Sequence, residues 1–348
     1  MQKLKSNLAA LGAALRGANC SLALVTKCFC ADEKIVEMLA ASELVDYLAD
    51  SRMQNIKTCA GRGKPTMLLR LPQACEIEEV VSYADISLNS ELDTLRLLNR
   101  ESGRQGKKHK VLLMIDVGDL REGLYFREEE KILKTAEEAA RMPHLLLYGL
   151  GVNLTCYGAV IPKKENLSAL ASWADRLRAH CGIDLPLVSG GNSSSFYLIE
   201  KGELPQGINN LRLGEAFIAG REAAYKTRIK DTFDDAVTLE AQIIELQTKP
   251  SFPLGERGVD AFGERPSFRD QGMVKRAICA VGRQDLDLSG ILPLDQGVEI
   301  LGASSDHLIL NVSRSEQRWA VGGVLRFVPN YTALLRLFTS RYIGRVYG

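Results

Sequence analysis

Residues 185–217 read LPLVSGGNSSSFYLIEKGELPQGINNLRLGEAF and contain one device twice. A short apolar run (185–189) breaks into small residues from Gly190 to Ser195 and enters the apolar helix pattern FYLIE. A second run (209–213) breaks at Gly214 and enters EAFIA. Moving towards the N-terminus, six further runs have strand character: 22–27, 44–49, 66–70, 84–88, 110–117 and 145–153. Helix-period segments separate them, among them ADEKIVEMLAAS (31–42), EKILKTAEEAAR (130–141) and, ahead of the quoted stretch, ENLSALASWADRLRAH (165–180). Eight strands, each followed by a helix, predict a (β/α)8 barrel. The first strand–helix turn, KCFCAD (27–32), lacks the glycine-rich loop of an open dinucleotide-binding sheet.

From about Asp231 the texture changes. Alternating segments VTLEAQIIELQ (237–247), VKRAICAVGRQ (274–284), VEILGAS (298–304) and DHLILNV (306–312) are joined by Gly-, Pro- and Asp-rich loops. They predict a smaller all-β domain, with the expected division at 1–228 and 229–348. The net charge of +1 gives no reason to expect nucleic acid or an acidic membrane surface. No apolar run is long enough to span a bilayer, and the N-terminus lacks the features of a signal peptide, so a cytoplasmic enzyme is expected. The eight cysteines form neither a compact disulfide framework nor a metal-ligand spacing, so reduced thiols and no metal are expected.

In such a barrel the chemistry sits at the C-terminal strand ends. Strand 1 closes on Lys27. If Ala23 and Val25 point inward, strand alternation carries Lys27 the same way. An inward ammonium is costly unless paired or used, and Schiff-base formation is its commonest use. The turns after strands 7 and 8, with Asn192, Ser193, Gly214 and Glu215, stand where barrels bind phosphate. Together these features suggest pyridoxal 5'-phosphate. Arg212 shares a strand face with Asn210 and Gly214 and could face the cofactor ring. A guanidinium there leaves the pyridine nitrogen unprotonated and the electron sink weak, which suits removal and return of a Cα proton. Its competing role is an ion pair with Glu215 or Asp116. His109, in the charged run 107–110, and His144 and His180 are expected at the surface.

VTKCFCAD (25–32), LADSR (48–52), YADISLNSE (83–91), DVGDLREG (116–123), NLTCYG (153–158), SGGNSSS (189–195), LRLGEA (211–216) and ILGASSDHLIL (300–310) follow one another in order. On these motifs the chain resembles the alanine/ornithine racemase family of fold-type III pyridoxal-phosphate enzymes, and the ornithine racemase branch most. The resemblance implies an amino-acid racemase acting on ornithine or a similar amino acid. It implies Lys27 as the cofactor lysine, Ser193, the backbone of Gly214 and Glu215, and Tyr331 at the phosphate, and Arg212 at the pyridine nitrogen. It further implies Arg121 near the substrate carboxylate. In the head-to-tail homodimer it suggests, Ser305 approaches that carboxylate from the other subunit.

Three positions depart from the alanine racemase pattern. Arg283, in Gly282-Arg283-Gln284-Asp285, stands where those enzymes have a tyrosine base; Asn153 replaces a ring-stacking histidine; Met114 replaces a modified lysine. Arginine is a poor proton acceptor near neutrality, so Arg283 is expected to orient a carboxylate. The second base is then His307, two residues from Ser305, or Cys156, close to Asn153, with Asp260 and Asp285 next in line. Two other functions are compatible with parts of the pattern. A decarboxylase of this fold carries an acidic E-P-G-R-like segment at strand 8, which LRLGEA lacks. A non-catalytic pyridoxal-phosphate-binding protein resembles the barrel alone, which the β domain disfavours.

Overall fold

The computed structural model describes residues 1–348 and divides into two compact units, Met1–Ala236 and Val237–Tyr347. The first contains eight parallel strands: β1 (Ser21–Val25), β2 (Tyr47–Asp50), β3 (Thr66–Leu68), β4 (Ile86–Asn89), β5 (His109–Asp116), β6 (Leu145–Gly151), β7 (Leu187–Ser189) and β8 (Asn210–Leu213). Neighbours in sequence are neighbours in the sheet, and β8 returns to β1 with Leu22 opposite Leu211, closing the barrel. A two-residue strand, Leu124–Tyr125, adds to the end of β5. The strands are apolar on both faces because both are buried. Ala23, Val25, Met67, Ile86, Leu88, Leu112 and Met114 fill the interior. Val111, Leu113, Ile115 and Leu150 pack outward with helix residues such as Leu95, Ile132 and Leu170.

The first unit extends past the expected 228/229 division because side chains tie the following segment to the barrel. Asn7 Nδ2 donates to the carbonyls of Phe217 (2.9 Å) and Phe233 (2.8 Å), and its Oδ1 accepts from Phe233 N–H at 2.6 Å. Lys3 pairs with Asp235 at 2.5 Å.

In the second unit β9 (Leu239–Pro250), β10 (Met273–Cys279), β11 (Ile291–Pro293), β12 (Glu299–Ala303), β13 (Leu308–Asn311) and β14 (Val324–Pro329) form an antiparallel sheet in the order β11-β14-β9-β10-β13-β12. Ala241, Ile243, Ala277, Leu310, Leu325 and Phe327 build its core with Ala333 and Leu337 of the helix Tyr331–Thr339. No helix of the chain is long and apolar enough to cross a membrane.

His109 corrects a sequence expectation. It opens β5 only 3% exposed, with Nε2 at 2.8 Å from Ser87 Oγ, while the lysines around it hide its inward direction in the sequence. Burial first of all pulls its pKa down to about 4. The unfolded chain binds this proton near pH 6.5, so stability is full above that value and falls as pH drops towards 4, by about 3 kcal/mol in total. Urea unfolding of the wild type should therefore weaken between pH 7 and pH 4.5. His109→Gln should flatten that slope, and an unchanged slope would remove His109 from the account.

Candidate active site

β1 stops at Val25 because Thr26 turns into the right-handed helical region, and residues Lys27–Phe29 form a 3-10 turn. The direction of Lys27 is therefore set by a turn and not by strand alternation, which corrects the expected strand 22–27. The turn is well held. Thr26 N–H donates to Ala49 O (2.8 Å), and Thr26 Oγ1–H to Asp50 Oδ2 (2.6 Å). Asp50, fully buried, also accepts from Asn55 Nδ2 at 3.1 Å and Arg52 N–H at 2.8 Å. Burial pushes the Asp50 carboxyl upward, and these hydrogen bonds oppose the shift. Past the lysine, Cys30 and Ala31 sit at φ +50° and +45°, two consecutive left-handed residues without glycine. Such strain persists only where the surroundings impose it.

Arg212 is the largest fully buried side chain. Its Nη1 donates to Ser189 Oγ (2.5 Å), and its Nη2 donates to Val152 O (2.6 Å) and Asn153 Oδ1 (2.7 Å). These partners are neutral, so the ion pair with Glu215 or Asp116 does not form. Glu215 pairs instead with Lys226 (2.8 Å), and Asp116 accepts from Gly118 N–H. Burial pulls the Arg212 guanidinium down to about 10, partly opposed by the charge of Glu122.

The turns after β7 and β8 meet at Ser193, whose Oγ accepts from the N–H groups of Gly214 (3.3 Å) and Ala216 (3.1 Å). An oxygen that accepts twice keeps its own hydrogen to donate. Beside it, Ser194 Oγ is buried without a partner. A Cβ on Gly214 would lie 3.1 Å from Val25 Cβ, so any larger residue would push β1 aside by a few tenths of an ångström. Asn192 caps this turn through Ser194 N–H (2.8 Å), and its Nδ2 lies 3.2 Å from Cys156 Sγ. Cys156 is exposed on the loop after β6, which Asp119 holds through Thr155 N–H (2.9 Å) and Tyr157 N–H (3.0 Å). Arg121 and Asn153 meet at Glu122, a residue the sequence reading did not single out. Arg121 Nη2 donates to Glu122 Oε1 at 2.6 Å, its Nε bonds Oε2, and Asn153 Nδ2 bonds Oε1.

Within the second unit, Arg283, Ser305 and His307 are also brought together. A Cβ on Gly282 would come within 2.2 Å of Ser305 O, so glycine alone allows that approach. Arg283 N–H donates to Ser304 O (2.9 Å), and His307 Nδ1 lies 3.3 Å from Ser304 Oγ. The Arg283 guanidinium contacts Glu264 (2.8 Å) and Asp260 (3.9 Å) and covers the Phe262 ring. Asp285 is buried and accepts from Ser340 Oγ at 2.6 Å, a packing position. Tyr331 opens the helix Tyr331–Thr339, which Asn330 caps through Ala333 N–H (3.1 Å).

A lysine on a pinned turn, a buried arginine and two small-residue turns converge at the C-terminal ends of one closed barrel. The chain belongs to the alanine racemase family: the model of that family's N-terminal domain matches residues 1–221. It is 51% identical over 345 residues to the ornithine racemase of Acetoanaerobium sticklandii, covering 99% of this chain and 97% of the relative. It is 40% identical to the lysine racemase of Thermotoga maritima, covering 93% and 90%. The same fold occurs in the alanine racemase of Clostridium difficile 630, at 18% identity and a TM-score of 0.74, covering 100% of this chain and 94% of that one. It occurs again in the alanine racemase of a D-cycloserine-producing Streptomyces lavendulae, at 16% identity and a TM-score of 0.77, covering 99% and 94%.

Proposed function

We propose that this amino-acid racemase interconverts the L- and D-forms of ornithine with pyridoxal 5'-phosphate as cofactor. Identity of 51% to an ornithine racemase along both units carries this assignment. The residues present fit the cofactor: a lysine on a fixed turn, a Ser193 hydroxyl with its hydrogen to give, the buried Ser194 hydroxyl, and a guanidinium deep in the mouth. When bound, the cofactor supplies an electron sink for the charge left on Cα. Ser193 and the backbone of Gly214 and Glu215 would hold its phosphate with Tyr331, and Arg212 would face its ring nitrogen.

Arg121 would bind the substrate carboxylate, and the Lys27 amine would take or return the Cα proton on one face. Cys156 is the favoured group for the opposite face. It is exposed beside Asn192, whose Nδ2 lies 3.2 Å from its Sγ. His307 is the alternative. Ser305 and Arg283 would orient the carboxylate, and the head-to-tail homodimer remains part of this proposal.

Chiral chromatography after incubation with L-ornithine, L-lysine and L-alanine tests the substrate. Ornithine should give the highest kcat/KM, and preference for alanine would refute the assignment. Cys156→Ala should slow racemisation by about 100-fold or more, the size expected for losing one general acid–base, and equally in both directions because the two enantiomers are equal in energy. Cα exchange should continue only from the enantiomer whose proton faces Lys27. Wild-type rates in both directions would dismiss Cys156 and direct the same test to His307→Asn.

A further inference from the structure

Four side chains at the barrel mouth form one unbroken chain of hydrogen bonds. Arg212 Nη2 donates to Asn153 Oδ1 at 2.7 Å. The other end of that amide donates to Glu122 Oε1, and Glu122 receives Arg121 through both of its oxygens, at 2.6 Å for Nη2. The two arginines arrive from opposite sides of the barrel sequence, one in β8 and one just beyond β5. We propose that Glu122 is a positioning residue that clamps the substrate-side Arg121 and, through Asn153, fixes the cofactor-side Arg212.

This rests on the roles given above to the two arginines, but the clamp itself is a matter of geometry. Glu122 is held close to its partners, with its side chain 16% exposed against 39% for Arg121. Each donor has one assignment. The Asn153 amide can accept from a guanidinium only with its oxygen and give to a carboxylate only with its nitrogen, so both charges together fix its orientation. A two-point guanidinium–carboxylate pair restrains Arg121 in direction as well as distance. Other titratable groups reaching the pair are Asp119, which acts on Arg121 while its oxygens are spent on loop N–H groups, and the Cys156 thiol. Glu122 is thus the carboxylate whose charge acts on both arginines, raising the affinity of each for its proton.

Glu122→Gln keeps the size but removes the charge and puts an NH2 donor in place of one of the two acceptor oxygens. In the cofactor-free protein, phenylglyoxal labelling of Arg121, read by peptide mapping, should accelerate several-fold. In the protein loaded with pyridoxal 5'-phosphate, KM for ornithine should rise about tenfold with a smaller change in kcat, the scale of one charge-assisted hydrogen bond. The alkaline change in the cofactor absorption band should move to lower pH, because Arg212 loses the anion that supports its charge. Glu122→Asp should restore part of each effect. Unaltered labelling would overturn the clamp. Accelerated labelling with wild-type KM and a wild-type band, even with a lowered Tm, would overturn the positioning role. A wild type without a cofactor band would instead refute the proposed function, and the labelling result would still report on the clamp.

Discussion

Lys27→Ala is expected to give a folded, colourless barrel whose racemisation falls by at least about 10^4-fold, the upper range for removing a group that transfers the proton. Folding should be spared because three hydrogen bonds that hold the turn do not use the side chain of the lysine. Phe29 N–H donates to Thr26 O (3.1 Å), Cys30 N–H donates to Lys27 O (3.2 Å), and the Thr26 hydroxyl anchors to Asp50. Alanine keeps all three bonds. Borohydride reduction of the wild type followed by peptide mapping should place the cofactor on Lys27, with no adduct in the variant. An adduct on Lys34 or Lys57 would move the chemistry elsewhere. Thr26→Val should report on the anchor: it keeps the lysine but removes the hydroxyl that Asp50 accepts, leaving a buried carboxylate short of a donor.

Arg212→Leu carries the largest expected loss of stability. Two effects compete. Removing a buried guanidinium relieves the cost of holding a cation away from water, a cost visible in its lowered pKa. Against this, the buried Ser189 Oγ and Val152 O and the half-buried Asn153 Oδ1 each lose a donor. Leucine has no donor for any of them. Orphaned buried acceptors cost about 1–3 kcal/mol each, so the second effect wins and the barrel should lose about 3 kcal/mol or more. For a unit of this size the Tm should fall by about 6–12 °C. Arg212→Lys should recover only part, since one ammonium cannot span three separated acceptors as a planar fork does. Equal melting of wild type and Arg212→Leu would mean that the three bonds contribute nothing net.

The barrel was legible because parallel strands buried on both faces leave continuous apolar runs, and eight of them are hard to mistake. Their ends were less legible. Lys27 reads as the last residue of strand 1, yet the Thr26–Asp50 contact that turns the chain joins residues far apart in sequence. The division between the units shifted for the same reason, since Asn7 holds Phe233 across most of the barrel sequence. His109 was misjudged because a lysine run normally marks solvent, whereas here only the lysines turn outward. Glu122 was invisible beside Arg121, since adjacent opposite charges in a loop usually mean two solvated side chains. Only the fold brings Asn153 to it. In the second unit β11, only three residues long, leaves little alternation to read, whereas β14 alternates in burial over six residues and was not singled out.

The proposed reaction removes and returns a Cα proton of ornithine without breaking a carbon–carbon bond. Incubation of L-ornithine with the enzyme and cofactor in deuterated water, followed by chiral separation and mass spectrometry, tests it most directly. D-ornithine carrying one deuterium at Cα should form, with the total amino acid conserved and no carbon dioxide released. Release of carbon dioxide with formation of the diamine, or recovery of L-ornithine free of deuterium, would contradict it.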